Sequence, residues 1–244
     1  MKKSGHWKVG ALMMVVGLSA AGSLQAAEDP KLGAVKKLAV MSALGRKIVS
    51  ENQSLINDAT KEDKGFTAAV FADKLAKAMM EEKMDLAKEI KKGGLAGKNM
   101  DMLLQAMQEV ITDAQPLINK KDMGFKGFLP ALFARKSFET FNQKGGVIKG
   151  KLTALQVRNV KNSPDAWEKK NLEKFVDPSY PVGKAISEVV GGELRYMKPE
   201  YYTVAGKCLN CHGEPKGERD ISGGLKEGYK DGQGGSALSF IIKE

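Results

Sequence analysis

Cys208-Leu209-Asn210-Cys211-His212 is the stretch around which the rest of the chain is interpreted. These are the only two cysteines among the 244 residues, and a histidine follows the second one directly. The C-x-x-C-H spacing is the attachment signature of a c-type haem, in which two thiols form thioethers to the haem vinyl groups and the histidine binds the iron. The spacing therefore predicts one covalent haem c on Cys208 and Cys211, with His212 as the iron ligand.

Three other interpretations of the cysteine pair are open at this point. A C-x-x-C can be a redox disulfide of the thioredoxin type, but that motif belongs to a βαβ unit, whereas this one follows Lys198-Pro199-Glu200-Tyr201-Tyr202. A structural zinc site needs four ligands, and the motif supplies three. A chance match is the last alternative.

The first 27 residues are typical of a secretory signal peptide. Lys2, Lys3 and Lys8 form a positive start, residues 9–21 are apolar, and residues 23–27 offer small side chains for cleavage. The apolar run is shorter than the roughly 20 residues of a membrane-spanning helix. We therefore predict a periplasmic protein with no integral membrane span after signal cleavage.

Loss of this segment removes His6 and leaves His212 as the one histidine of the mature chain. Ligation of the iron by two histidines of the same chain is thereby excluded. The sixth position would be taken by methionine, lysine, another weak ligand or water, or would stay open. The candidate methionines are Met79, Met80, Met107, Met123 and Met197.

The chain is basic, with a formal charge of +10 that falls to +7 without the three signal lysines. A charge of this size indicates a solvated surface or attraction to an anionic partner. Basic and aromatic residues are not interleaved in the manner of nucleic-acid-binding surfaces, so we expect no nucleic-acid partner.

An internal repeat with an offset of 62 residues precedes the motif. Eleven identities carry it, and they fall in residues 53–57 against 115–119, 64–66 against 126–128, and 69–74 against 131–136. Helical periodicity predicts helices over residues 31–57 and 66–90, followed by a linker over 91–98. In one interpretation one copy packs on the haem and the other extends or caps it. In the other, both are core helices whose Phe side chains contact each other.

The chain changes character after residue 146, where β-branched residues and shorter apolar spacings begin. We predict one or two strands in 147–157, a helix over 164–176 capped by Asn162 or Ser163, a loop over 177–183, and strands over 192–197 and 236–242. The fold class is therefore α+β, with a signal peptide over 1–27, a helical segment over 28–98 and a haem domain over 99–244.

The chain from about residue 100 onward resembles the PAS-like c-type haem domain family, whose members are small exported haem proteins or extracytoplasmic sensor modules. Residues 158–168 are similar to the family's R-N-P-x-N-x-P-D-x-W-E, with Val160 in place of the first proline. Residues 208–215 match its C-L-x-C-H-G-x-P, and residues 228–232 match its closing G-Y-x-x-G. Gln233 and Ser236 depart from the family's acidic residue and glycine.

The resemblance implies a PAS-like C-terminal haem domain, here with a duplicated N-terminal helical hairpin. Some members are thought to use a cysteine of an N-terminal helix as the distal iron ligand, and this role cannot be carried over because the chain has no such cysteine. Arg158 is a further candidate cofactor-binding residue, because a guanidinium can bind a haem propionate through two hydrogen bonds. Alternatively, Arg158 pairs with Glu168 or another carboxylate and only holds the turn.

Two functions are compatible with these features. The first is a haem-binding redox or electron-transfer protein, and the alternative is a haem-based gas or redox sensor that acts through a partner. In both cases the partner would be an unidentified periplasmic redox or signalling protein. We expect no enzymatic activity, because no Ser-His-Asp, paired-carboxylate or second-metal constellation is visible and a peroxidase would need a distal base.

Overall fold

The structure is a computed structural model that describes residues 29–243, so the predicted signal peptide over 1–27 lies outside the described residues. The helices are α1 (Pro30–Glu51), α2 (Gln53–Ile56), α3 (Ala68–Glu81), α4 (Leu86–Lys92), α5 (Gly94–Asp113), α6 (Gln115–Ile118), α7 (Pro130–Gln143), α8 (Ala166–Phe175) and α9 (Leu209–His212). The strands are β1 (Ile148–Ala154), β2 (Ile186–Val190), β3 (Glu193–Tyr202) and β4 (Gln233–Ile242). The α+β class is confirmed. Among the described helices, none combines the length and the apolar character needed to cross a membrane.

Helix α1 begins where its sequence favours a start. Asp29 caps it by accepting a hydrogen bond from the backbone of Lys31, and Pro30 occupies the first turn, where its missing N–H costs nothing. The predicted inward face is buried, including Met41, Gly45 and Ile48. The α-helical hydrogen bonding is interrupted at residue 52, and the one-turn helix α2 completes the segment that the periodicity indicates.

Two predictions about the middle of the helical half are wrong. The helix over 66–90 is two helices, because α3 ends at Glu81 and Lys83 adopts a left-handed φ of 58°. The linker over 91–98 is a single break at Gly93 (φ 68°), after which α5 begins at once. At Gly97 a Cβ would collide with the backbone carbonyl of Glu89 on α4. Gly97 therefore allows close packing of α4 and α5, while Gly93 and Gly94 adopt the left-handed φ of the turn between these helices.

The two copies of the repeat are joined by pairs of hydrogen bonds that the 62-residue offset relates to each other. The side chain of Gln53 donates to the backbone oxygen of Phe128 over 2.9 Å, and the side chain of Gln115 donates to the backbone oxygen of Phe66 over 2.9 Å. Each glutamine thus holds the Lys-Gly-Phe turn of the other hairpin.

The same exchange is made by two asparagines. The backbone N–H of Lys64 donates to Asn119 Oδ1 over 3.1 Å, and the backbone N–H of Lys126 donates to Asn57 Oδ1 over 2.9 Å. The two turns are therefore fixed to each other by four cross-hairpin bonds, two from glutamines and two to asparagines.

Phenylalanine rings fill the space between the hairpins. Phe71 and Phe133, which are equivalent positions, are fully buried and meet edge to face with ring centroids 5.2 Å apart. This contact supports the second interpretation of the repeat, in which both copies are core helices whose Phe side chains contact each other.

The four strands form one antiparallel sheet in the order β1-β4-β3-β2. Helix α7 packs on β1, and α8 packs on β4. Phe138 of α7 meets Phe240 of β4 edge to face at 5.6 Å, and a Cβ at Gly150 of β1 would lie 2.5 Å from the Phe138 ring. Helices and sheet therefore share a core at this junction.

The strand predictions are confirmed for β1 and β4, while β3 is longer than predicted and β2 was not predicted. Pro199 makes the end of β3 look irregular in sequence, because proline cannot donate a ladder hydrogen bond. The β2 ladder ends at the pair Ile186 and Met197, so one side of β3 has no neighbouring strand at Pro199 among the described residues. A proline is tolerated there for that reason.

The predicted cap of the helix over 164–176 is wrong. Helix α8 begins at Ala166 and is capped by Asp165, whose side chain accepts from the backbone of Glu168 over 2.8 Å while Glu168 accepts from Asp165 over 2.9 Å. This capping box satisfies two donors of the first turn, which neither Asn162 nor Ser163 can do from a short 3-10 turn further back.

Candidate functional site

The C-x-x-C-H segment follows β3 through a turn over residues 203–208 and forms α9. The backbone N–H of Cys208 donates to Thr203 over 3.0 Å, and the backbone N–H groups of Cys211 and His212 donate to Cys208 over 3.2 and 2.9 Å. The three functional side chains predicted within the motif are therefore held on one helical turn.

Both cysteines are unpaired thiols of intermediate exposure. Burial raises the pKa of the Cys211 thiol, and the neighbouring Asp220 acts in the same direction. A catalytic redox cysteine needs the opposite shift, because the thiolate is the nucleophile. The sheet that leads into α9 is antiparallel, so the βαβ context of a thioredoxin motif is missing from residues 29–243.

The zinc interpretation finds no fourth ligand. Within the described part of the chain, no group of three or more His, Cys, Asp and Glu side chains is arranged to hold a metal ion. The side chains of the motif would need a ligand from elsewhere to complete a tetrahedral site.

His212 is bound on one side by a carboxylate. Its Nδ1 lies 2.7 Å from Oε2 of Glu227, whose side chain is only 8% exposed. Burial alone would raise the pKa of Glu227, but hydrogen bonding from Arg158 and the adjacent His212 outweigh it and hold that pKa below its usual range. The carboxylate is therefore ionised and can only accept, which assigns the proton of the pair to Nδ1.

The other ring nitrogen of His212, Nε2, carries no proton and has a free lone pair. Burial lowers the pKa of His212, against the influence of Glu227, so the imidazole is neutral near pH 7. No polar group of residues 29–243 bonds its Nε2. A neutral imidazole with Nδ1 engaged and Nε2 free is the form in which histidine binds a metal.

Two tyrosines pack behind the histidine. The Tyr202 ring lies 5.0 Å from the His212 ring, and Tyr229 stacks on Tyr202 with centroids 4.0 Å apart. The backbone N–H of Tyr229 also donates to the His212 carbonyl over 2.9 Å. Burial raises the pKa of Tyr202, so this ring stays neutral as well.

Arg158 lies against the motif, with each of its guanidinium nitrogens engaged. Its Nε donates to Glu227 Oε1 over 2.7 Å, and its Nη2 donates to Glu227 Oε2 over 3.1 Å. Its Nη1 donates to Asp220 and, over 3.3 Å, to Ser222 Oγ. Its Nη2 also donates to the backbone carbonyls of Cys211, over 2.6 Å, and of Leu225, over 3.1 Å. Arg158 therefore contacts two carboxylates and the peptide backbone of the motif. With five N–H groups and these acceptors, it has no donor left for a propionate in this arrangement.

Asp220 fixes the far side of this arginine. Burial alone would raise the pKa of Asp220, but hydrogen bonds from Ser222 and Arg158 lower it to about 2. A Cβ at Gly224 would lie 2.6 Å from Arg158 Nη1, so the backbone of the glycine-rich loop approaches the guanidinium where a side chain could not.

Helix α1 approaches the segment from another direction. Ser50 Oγ donates to the carbonyl of Gly206 over 3.0 Å, two residues before the motif, and Arg46 forms an ion pair with Glu200 of β3. Arg46 Nε is buried and has no partner within residues 29–243. The N-terminal helix thus borders the motif.

The candidate methionines differ in environment. Met79, Met107 and Met197 are fully buried, whereas Met80 is 58% exposed. Met107 packs near Gly45, where a Cβ would lie 3.2 Å from the Met107 methyl group. These buried methionines are explained by apolar packing.

The sequence interpretation missed Glu227, Asp220, Tyr202 and Tyr229. Glu227 and Tyr229 flank the glycine of the G-Y-x-x-G stretch, and their nearness to the motif was the one available signal. The spacing gave no means to predict that a carboxylate would meet His212.

Three comparisons with known proteins bear on this chain. A family model described as Tll0287-like matches residues 46–242. The crystal structure titled for the cyanobacterial heme-protein Tll0287 is 18% identical, covers 61% of this chain and 94% of its own, and has a TM-score of 0.42. No curated protein matches.

Proposed function

The chain belongs to the Tll0287-like family, and we propose that it is an exported c-type haem protein that transfers electrons in the periplasm. The protein that gives the family its name is described as a heme-protein. One observation carries the proposal: Cys208, Cys211 and His212 share one helical turn, and Nε2 of His212 is unbonded within residues 29–243.

The donor set of the described residues fits a covalent haem. Both thiols are unpaired and partly accessible, as thioether formation requires. A neutral imidazole is the protonation state needed for an iron ligand, and burial favours it at His212. In this assignment Cys208 and Cys211 supply the thiols and His212 supplies the iron ligand.

The haem, when bound, supplies a reversible one-electron couple at its iron. The residues of the chain bind and orient it. Glu227 holds the His212 ring, Tyr202 limits its rotation, and Arg158 fixes both Glu227 and the backbone of the motif. We propose no enzymatic activity, because the histidine of the motif is required by the iron.

Export to the periplasm is proposed from residues 1–27, whose charged, apolar and small-residue regions favour a cleaved signal. The partner would be a periplasmic redox protein, and the basic charge of the chain favours an anionic docking surface on it.

Two finer features of the fold belong to this proposal. We infer a PAS-like arrangement for the sheet half, supported by the single antiparallel sheet with α8 against it. We also infer that the helical half arose by duplication, supported by the reciprocal bonds of Gln53 with Phe128 and of Gln115 with Phe66.

An optical spectrum of the purified, reduced protein tests the proposal. The protein is produced with haem-attachment machinery and measured with and without carbon monoxide. We expect low-spin bands that carbon monoxide leaves unchanged, because a firmly held sixth ligand suits electron transfer. Bands that shift with the gas would instead support a sensor acting through a partner, and a spectrum without haem bands would refute haem binding altogether.

Substitution of the thiols tests the covalent attachment. In the variant carrying Cys208→Ala and Cys211→Ala, haem should be extracted completely by acidified organic solvent. Haem that stays with the polypeptide after both changes would contradict the assignment of these two thiols.

A further inference from the structure

The His212 imidazole is hydrogen-bonded to a carboxylate, and this has a consequence for the iron that it is proposed to bind. We propose that Glu227 is a positioning residue that makes His212 a strongly electron-donating ligand, and so stabilises the oxidised over the reduced haem. The proposal rests on the function proposed above and deepens it, because it states how the chain sets the potential of its own cofactor.

The geometry of the pair is that of a short, partly dehydrated hydrogen bond. Nδ1 of His212 and Oε2 of Glu227 are 2.7 Å apart, and the side chains are 27% and 8% exposed. A hydrogen bond between charged and neutral groups in such a partly dehydrated place is stronger than one in water. The contact therefore fixes both the ring orientation and the tautomer of His212.

Glu227 is itself held in place by Arg158. Arg158 donates to both of its carboxylate oxygens, over 2.7 and 3.1 Å, and the same arginine is tied to Asp220. Nη2 of Arg158 also donates to the carbonyl of Cys211, the residue next to His212. One rigid cation thus connects the carboxylate to the backbone that carries the ligand.

The hydrogen bond from His212 to Glu227 also changes the electron density of the imidazole. A carboxylate that accepts the Nδ1 proton gives the imidazole partial anionic character and raises the basicity of Nε2. A more basic axial ligand favours the more positive iron, so the reduction potential falls. A backbone carbonyl or an amide in the same place would exert a weaker effect because it carries no charge.

The test compares three variants of the full chain with haem attached. Glu227→Gln removes the charge and keeps the shape, Glu227→Leu removes the hydrogen bond as well, and Glu218→Gln removes a charge from the same loop. Glu218 is a matched control because it pairs with Lys226 over 2.8 Å and is 52% exposed.

We expect the midpoint potential to rise in the order wild type, Glu227→Gln, Glu227→Leu, with Glu218→Gln at the wild-type value. A merely structural role for Glu227 would lower stability without this graded shift. A Glu227→Gln protein that carries haem and has the potential of Glu218→Gln would overturn the proposal.

A second measurement needs no haem. In the full chain made without attachment machinery and labelled with 15N-histidine, His212 should be protonated at Nδ1, and Glu227→Leu should change that tautomer. Free 15N-histidine in the same buffer serves as the reference for the two tautomers. A wild-type His212 protonated at Nε2 would overturn the inference even if no variant with haem could be prepared. A wild-type protein that never attaches haem but shows the Nδ1 tautomer would instead refute the proposed function and leave the pair intact.

Discussion

Arg158 neutralises two carboxylates that the fold has largely removed from water. The Asp220 side chain is 0% exposed and that of Glu227 is 8% exposed. Replacement of Arg158 by alanine would leave both charges without a cation, a situation that typically costs about 3 kcal/mol or more. We expect Arg158→Ala to lower the free energy of unfolding by about that amount, measured by urea denaturation.

A neighbouring arginine provides the control for this substitution. Arg219 is exposed and donates to the carbonyl of Gly223 over 2.6 Å. Arg219→Ala should change the unfolding free energy by less than about 1 kcal/mol. Equal effects of the two substitutions would show that Arg158 does not stabilise the loop through its carboxylates.

The lowered pKa of Asp220 leads us to expect a specific loss of stability in acid. Burial alone would raise its pKa, but Ser222 and Arg158 lower that pKa from 3.8 to about 2 in the folded protein. A lowered folded pKa means that the stabilisation is complete above pH 4 and is lost as the pH falls toward 2. Asp220→Asn should therefore flatten the pH dependence of the unfolding free energy in this window by about 1 to 2 kcal/mol.

Asp73→Asn, at an exposed position of α3, is the charge-matched control for this experiment. Unfolding free energies measured by urea denaturation between pH 2 and pH 5 would separate the two variants. Parallel curves for Asp220→Asn and the wild type would contradict the assigned role of Asp220.

At the residue scale, what could be predicted depended on separation along the chain. Cys208, Cys211 and His212 fall within one helical turn, so their spacing alone indicated a shared site. Glu227 lies 15 residues beyond His212, and Arg158 lies 53 residues before Cys211. Such contacts are set by the path of the chain in three dimensions, which is why Arg158 was identified as a cofactor-binding candidate while its carboxylate partners were not.

At the scale of elements, the contact of α4 with α5 depends on Gly97. A Cβ there would collide with the Glu89 carbonyl and lie 3.1 Å from that of Ile90. Within a helix, glycine to alanine ordinarily stabilises by about 1 kcal/mol, because glycine loses more backbone entropy on folding. At this position we expect the opposite sign, with Gly97→Ala lowering the thermal midpoint by about 5 °C or more.

Gly124 offers the matched substitution. A Cβ there meets nothing within 4 Å, and the residue does not require a left-handed φ. Gly124→Ala should leave the thermal midpoint close to the wild-type value, as followed by circular dichroism. A Gly97→Ala protein that melts at or above the wild-type temperature would show that α4 and α5 do not approach each other closely.

The glycines between α4 and α5 show why the ends of helices were harder to predict than the helices and strands themselves. The inward face of α1 was visible as a periodic pattern, and the buried strand β4 was visible as a run of small and apolar residues. Gly93 and Gly97 look like a linker in sequence, although one ends a helix and the other allows two helices to touch. Strand β2 escaped prediction because three of its five residues are exposed, so that no alternation of burial marks it.

At the scale of the whole molecule, the helical half and the sheet share a hydrophobic core. One buried cluster contains residues of α1, α3, α5 and α7 together with Ile148, Tyr196, Leu238, Phe240 and Ile242 of the sheet. A second, smaller cluster lies under α8 and contains Leu172, Phe175, Met197 and Ala237. Because the larger cluster crosses from helices to strands, we expect residues 29–243 to unfold in a single cooperative transition.

Trp167 reports on this cooperativity, since it packs against the smaller cluster and its ring lies under Arg195 at 4.6 Å. In a Trp7→Phe background it is the only tryptophan. Its fluorescence and the helical circular dichroism signal should then give the same urea midpoint.

Phe71→Ala removes a fully buried ring from the helical half and should lower the free energy of unfolding by about 3 to 5 kcal/mol. Both signals should shift by the same amount, whereas Lys74→Ala, on an exposed position of the same helix, should shift neither. A Phe71→Ala protein in which the dichroism midpoint moves while the Trp167 midpoint stays would show that the two halves unfold independently, and that the shared cluster does not couple the helices to the strand that leads into the C-x-x-C-H segment.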